Sequence, residues 1–284
     1  MIRLLAPFAR EILAVRGDAM VVRVAAAKGS TPRGTDAAML ATMAASHGTI
    51  GGGQLEFHAI DVARDMMAAG TEKHELAIPL GAHLGQCCGG HVTLDFSALD
   101  DAEATRLERV ASARAAAFPA VTILGAGHTG RALALALAPL PFATTLADDR
   151  AELLAGLPRN IATRLLDDAE AVVAACPPGS AVVILTHSHA LDYRLAQAAL
   201  RRGDLAYVGM IGSATKRARF ERWFLASGGT KEALARLTCP IGGPGVADKR
   251  PEVIAALTAS ELLRCMALRP APVAALEVAE PAHA

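Results

Sequence analysis

The sequence predicts an α/β protein in two parts: a C-terminal doubly wound parallel sheet, preceded by a smaller N-terminal α+β domain. Three observations lead there. From Pro119 onwards strand-like and helix-like segments alternate regularly, the pattern of a parallel sheet covered by helices on both faces. The first of those strands runs into a glycine fingerprint, Gly125-Ala126-Gly127-His128-Thr129-Gly130. Before Asp100 the pattern differs, with strands separated by glycine-rich loops. With 284 residues, and ~150 residues to a domain, the chain has room for about two domains. That length buries a core without disulfide or metal staples.

Taken in order, residues 1–15 space Arg3, Arg10 and Glu11 as an amphipathic helix would. Ala19–Ala27 reads as a strand ending at the turn Lys28-Gly29, and Thr31-Pro32-Arg33-Gly34 as a loop. Ala38–Met43 is a second strand. The run Gly48-Thr49-Ile50-Gly51-Gly52-Gly53 opens a helix that keeps Leu55, Ala59, Val62 and Met66 on one face. Strands Glu75–Leu80 and His91–Phe96 flank the loop Gly81–Gly90, and this first domain spans residues 1–99. Residues 100–118 form a connecting helix, charged at its start and alanine-rich at its end. The parallel-sheet domain is expected over 119–238, with strands at Val121–Leu124, Thr144–Ala147, Ala181–Leu185 and Ala206–Met210 and helical stretches between them. Residues 239–284 supply the loop Cys239–Asp248, a helix over Pro251–Met266, and a Pro/Ala-rich tail from Arg269 that is expected to be loose.

Charge excludes several partners. Lys plus Arg and Asp plus Glu number 28 each, so nothing draws the chain to nucleic acid, and 4% aromatic content gives little surface for base stacking. The odd count of five cysteines does not make a secreted disulfide framework. The N-terminus lacks the apolar core of a signal peptide. The longest apolar stretch, Ala132–Ala147, is broken by Pro139 and Pro141 and is too short for a bilayer. The expectation is a cytoplasmic protein with reduced thiols and no membrane partner, its state as monomer or homodimer left open.

The glycine fingerprint gains weight from its context, an apolar strand before it and an Ala/Leu helix after it. Gly125 permits the tight turn, Gly127 lets backbone approach a phosphate, and Gly130 lets helix and strand pack closely. The helix start offers N–H groups to an anion. Asp148, after the next strand, stands where a carboxylate accepts hydrogen bonds from a ribose diol. This is a Rossmann-like fold, and NAD(P) is its most familiar ligand; a scaffold that binds no dinucleotide is the competing reading.

The motifs Gly29-Ser30-Thr31-Pro32-Arg33, Gly48–Glu56 (GTIGGGQLE), Leu84–Gly90 (LGQCCGG), Thr186–Asp192 (THSHALD), Tyr207–Phe220 (YVGMIGSATKRARF) and Cys239-Pro240-Ile241-Gly242 occur in this order. Together they resemble the xanthine dehydrogenase accessory protein family, XdhC, over about residues 10–267. Ser188 departs from that pattern, where an aspartate is expected, and the loop Gly242–Asp248 is looser than usual. The resemblance implies an accessory protein without turnover of its own. It would bind molybdenum cofactor, support its sulfuration by a cysteine desulfurase, and deliver it to apo xanthine dehydrogenase.

Such a cofactor, a pterin with a dithiolene-bound metal and a phosphate, needs an anion cradle and protection from oxidation. Gly51, Gly52 and Gly53, with Thr49 nearby, can form a phosphate nest or simply a tight turn into the helix. Arg33 can clamp a phosphate or lie solvated in its loop. In Gln86-Cys87-Cys88, a thiolate can contact molybdenum or carry sulfur. Zinc held with His83 and His91 competes, although adjacent cysteines lack the usual ligand spacing, and so do two small buried cysteines. His187 and His189, just past a strand at the sheet edge where such folds bind ligands, can contact a ligand, carry protons or serve as loop residues. Gly212 and Ser213, followed by Lys216, Arg217 and Arg219, form either an anion site or a solvated basic helix face. Cys176 and Cys265 read as core residues. Two rival functions stay open: an NAD(P)-dependent oxidoreductase using Gly125, Gly127, Gly130 and Asp148, and a thiol or sulfur carrier that uses no pterin.

Overall fold

Strand β1 (Met20–Lys28) carries Met20, Val22 and Val24 on one face and Val21 on the other, all at most 2% exposed. A strand buried on both faces needs helices on both sides, and the first unit is built that way. The computed structural model describes residues 2–35, 37–80 and 89–267. Its first unit, Met1–Arg114, is an antiparallel sheet in the order β3-β2-β1-β5-β4. The strands are β2 (Ala38–Ala41), β3 (Ser46–Thr49), β4 (Lys73–Pro79) and β5 (His91–Ala98). Helix α2 (Gly53–Ala69) packs Leu55, Ala59, Ala63 and Met66 against Met20, Val22, Val24, Leu94 and Phe96. On the opposite face, α1 (Ile2–Ala14) and α3 (Asp101–Ala116) bury Leu5, Ala9, Ala104 and Leu107 against Val21 and Leu40. The helix expected as a connector is thus part of this unit's core.

Strand β3 was not expected. Its sequence, Ser-His-Gly-Thr, shows no apolar alternation because it is an edge strand, half-exposed, and paired with β2 through the turn at Thr42–Ala45. Edge strands need little burial to form once the neighbour supplies the ladder.

The second unit, Ala115–Ala284, contains strands β6 (Ala120–Leu124), β7 (Ala143–Asp148), β8 (Ile161–Leu165), β9 (Ala181–Ile184), β10 (Tyr207–Met210) and β11 (Leu237–Thr238). All pair in parallel, in the order β11-β10-β9-β6-β7-β8. Numbered from β6, that is the Rossmann order 3-2-1-4-5-6 read from the far edge. Helices α4 (His128–Leu137) and α9 (Pro251–Ala267) cover one face; α5 (Ala169–Ala174), α6 (His189–Arg202), α7 (Ala214–Ala226) and α8 (Lys231–Leu234) cover the other. Glu261 fastens α9 to the sheet by accepting hydrogen bonds from the Tyr207 hydroxyl (2.7 Å) and the Gly242 N–H (3.0 Å).

The sequence reading missed β8 and β11. Four of the five β8 residues are exposed, and β11 has two residues, so neither carries the apolar run of a central parallel strand. Between β7 and β9, where a helical stretch was expected, the chain forms a 3-10 turn (Ala151–Leu154), β8 and the short helix α5. Cys265, expected in the core, is exposed, because the buried stripe of α9 runs through Ala255, Ala259, Leu262 and Met266.

Glycines set the geometry at the start of this unit. A Cβ on Gly130 would lie 1.8 Å from the carbonyl oxygen of Gly125, whereas one on Gly127 would meet nothing within 4 Å. Gly130→Ala is therefore expected to lose about 3 kcal/mol of stability by forcing α4 off β6. Gly127→Ala, at φ −64°, should lose less than about 1 kcal/mol. Urea unfolding followed by the fluorescence of Trp223, the single tryptophan, checks both.

Candidate functional site

At the carboxyl edge of the parallel sheet, the chain reverses between β6 and β9. Gly125 (φ +116°) sits so close to the β9 loop that a Cβ there would be 2.3 Å from the Leu185 carbonyl oxygen and 2.9 Å from the Thr186 nitrogen. The structure thereby brings the fingerprint glycines Gly125, Gly127 and Gly130 beside the loop that carries His187 and His189. This is the switch point where open α/β sheets bind ligands. His128, His187 and His189 are exposed.

Helix α4 starts at Gly127 with no side-chain cap. The other α-helices of this unit with a described N-cap have one: Asp168 for α5, Ser188 for α6, Ser213 for α7 and Thr230 for α8. Ser188 thus takes the capping role an aspartate would have played, accepting the Leu191 N–H at 3.4 Å. An uncapped start leaves N–H groups and the positive end of the helix dipole facing outward, which suits an anion.

Asp148 ends β7 at 2% exposure. Its carboxylate accepts the Ala126 N–H (2.6 Å), the Arg150 N–H (3.0 Å), and Arg150 Nε (2.8 Å) and Nη2 (3.0 Å). Those four donors match the roughly four acceptor positions of a carboxylate. Burial alone would raise the pKa of Asp148, but the Arg150 guanidinium and the two backbone N–H groups outweigh it and hold it well below the carboxylate range. A ribose diol would have to displace Arg150 to reach this carboxylate.

A second buried carboxylate lies one strand over. Asp192, fully buried, accepts the Thr186 N–H (3.0 Å) and hydroxyl (2.7 Å) and the Lys216 ammonium. Lys216 Nζ also donates to the Ile211 carbonyl at 2.8 Å, so one ion pair ties the loops after β9 and β10. The basic residues after Gly212-Ser213 do not form a solvated face. Only Arg219 is exposed; the Lys216 side chain is 10% exposed, and Arg217 Nη1 donates to the Leu237 (2.8 Å) and Cys239 (3.2 Å) carbonyls. At the proposed Gly212-Ser213 anion site, the serine hydroxyl caps its own helix, accepting the Lys216 N–H at 3.3 Å. The pairing of Asp192 with Lys216 was missed because the two lie 24 residues apart; an aspartate in the first turn of α6 was its only trace. Burial raises the Cys239 thiol above its ordinary value.

In the first unit three sequence motifs converge. A Cβ on Gly51 would touch Pro32 (2.8 Å) and approach Arg33 (3.8 Å), and one on Gly90 would strike the carbonyls of Ser30 (2.5 Å) and Lys28 (2.7 Å). The loops Gly29–Arg33, Thr49–Gly53 and Gly89-Gly90 therefore meet at one corner. Gly51, Gly52 and Gly53 all adopt positive φ, in a turn whose backbone N–H groups hold an anion. The anion in it is the chain's own. Glu56 accepts the Ile50 (3.1 Å) and Gly52 (3.2 Å) N–H groups and the Thr49 hydroxyl, while the Gly51 N–H bonds Thr49 Oγ1 at 3.1 Å. Arg33 is exposed. Gln86, Cys87 and Cys88, with His83, lie outside the described residues. Among the described residues no three His, Cys, Asp or Glu side chains cluster as a metal site, and no helix is long and apolar enough to cross a membrane.

Two outcomes follow from the buried carboxylates. Lys216→Met, which strands Asp192, is expected to cost about 3 kcal/mol or more, and Lys216→Met/Asp192→Leu to recover most of it. Asp148→Asn should cost about 2 kcal/mol at neutral pH. A depressed carboxylate contributes its full stability above its unfolded value near 3.9 and loses it as pH falls toward the folded value. The gap between wild type and Asp148→Asn is therefore constant above about pH 5 and narrows below about pH 4, as read by urea midpoints.

The family model described as the XdhC Rossmann domain matches residues 121–262, and that of the XdhC and CoxI family matches residues 12–77. Among solved structures, one described as a xanthine dehydrogenase from Bacillus halodurans superposes with a TM-score of 0.70 at 16% identity, covering 93% of this chain and 96% of that one. An imine reductase from Myxococcus stipitatus in complex with NAD+ gives a TM-score of 0.31 at 21% identity, covering 39% of this chain and 38% of that one. No curated protein matches the chain. The Bacillus halodurans structure shares the fold of both units, and the Rossmann-domain model alone accounts for half of the sequence. The chain belongs to the XdhC family.

Proposed function

We propose that this protein is a maturation factor that binds molybdenum cofactor, holds it during sulfuration by a cysteine desulfurase, and delivers it to apo xanthine dehydrogenase. Membership of the XdhC family carries this reading. The residues fit such a group in part. The uncapped start of α4 at Gly127 offers free N–H groups to a phosphate. The Gly51–Gly53 nest suits an anion less well while Glu56 fills it. His187 and His189, exposed beside the fingerprint glycines, can meet polar edges of a pterin. Cys87 and Cys88 are the residues assigned to the metal or its sulfur, because a thiolate is a soft ligand suited to molybdenum. The cofactor brings the metal–dithiolene chemistry; the protein binds, orients and shields it.

The test is to mix anaerobically purified protein with free molybdenum cofactor and measure molybdenum and oxidised-pterin fluorescence after gel filtration. Near-stoichiometric co-elution is expected for wild type and background levels for Cys87→Ala/Cys88→Ala. Co-elution in both would keep the maturation role and remove the cysteines from the site. No retention by wild type would end this reading, and persulfide on Cys87 or Cys88 without pterin would make the protein a sulfur carrier instead.

A further inference from the structure

The start of α4 is open, yet the adenosine end of the same groove is not. In a dinucleotide-binding Rossmann unit the carboxylate closing the second strand accepts the ribose hydroxyls, and that strand here is β7. Asp148 is in the right place and has the right chemistry, but its acceptor positions are consumed: one by the Ala126 N–H of the glycine loop, three by Arg150. Arg150 Nε and Nη2 form the parallel two-pronged contact that arginine makes with a carboxylate, and the Asp148 side chain is only 2% exposed. The arginine thus sits where a diol would bind.

A phosphate on that ribose fares no better. Arg150 is the cation that would have to receive it, and three carboxylates surround that cation. Besides Asp148, Asp149 lies 3.6 Å from its Nε, and Glu152 stabilises its charge through space. The nearby Arg131 on α4 is committed to backbone, donating from Nη1 to the Leu153 (2.7 Å) and Ala155 (2.9 Å) carbonyls. A phosphomonoester would meet one paired guanidinium among three negative charges.

We propose that Arg150 is a built-in occupant of the ribose position, which closes this Rossmann unit to both NAD and NADP while leaving the phosphate-binding start of α4 open. The Asp148–Arg150 pair then acts as a clasp on the glycine loop through Ala126. This inference does not rest on the molybdenum-cofactor reading and stands or falls separately from it.

The full-length protein is titrated with NADH and with NADPH, following nicotinamide fluorescence to about 1 mM, the upper end of ordinary substrate affinities. Wild type is expected to bind neither. Arg150→Leu frees the Asp148 acceptors and should gain NADH binding by about tenfold or more over wild type, without a matching gain for NADPH. Circular dichroism and the Trp223 unfolding curve establish that the variant is folded. Arg150→Lys, which keeps a cation but loses the two-pronged contact, provides a second variant and should show a smaller gain for NADH. Binding of NADH or NADPH by wild type would overturn the proposal. So would folded Arg150 variants that bind NADH no better than wild type, since something other than Arg150 would then close the site.

Discussion

The second unit depends on how closely Gly125 can approach its neighbours. Its carbonyl lies under Gly130, and its Cα lies against the backbone at Leu185 and Thr186, at distances that leave no room for a Cβ. That contact sets α4 directly over the end of β6 and brings the β6 and β9 loops together at the one place where the sheet order reverses. A side chain at either glycine would separate helix from strand and open the switch point. The anion-binding potential of the α4 start and the placement of His187 and His189 both follow from it.

Within each unit, loops are held by the chain's own acidic side chains. Asp148 takes the Ala126 N–H, Asp192 takes the Thr186 N–H, and Glu56 takes the Ile50 and Gly52 N–H groups in the first unit. A buried carboxylate that accepts several N–H bonds stiffens the loop it bonds and is costly to leave unpaired. Loops that would otherwise be free anion receptors thereby become rigid and self-satisfied. The start of α4, with a glycine cap and no side-chain hydrogen bond to it, is the exception among the α-helices of the second unit whose N-cap is described.

Legibility in the sequence tracked burial. Strands β6, β7, β9 and β10 were placed to within a residue or two because most of their positions are buried and so favour apolar residues. Strands β3, β8 and β11 were not, because each lies at the edge of a sheet and is short or half-exposed, so no periodic signal is required of it. The glycine fingerprint was readable because its steric demand falls on three fixed positions. The convergence of Arg33, Gly51 and Gly90 was not, since sequence order says nothing about which loops share a corner.

The sequence by itself determined the two-part architecture, the Rossmann topology of the second part and the XdhC family. Each of these rests on local pattern: periodicity, glycine spacing and ordered motifs. Only the tertiary structure decided what the charged residues do. Asp148 reads in sequence as a ribose acceptor, Lys216 as part of an anion site or a solvated helix face, and the Gly51–Gly53 run as a phosphate nest or a tight turn. Their partners turn out to be Arg150, Asp192 and Glu56. The physical reason is that a charged group's role is set by which opposite charge or N–H lies within about 3 Å of it, and that distance exists only after the chain has folded.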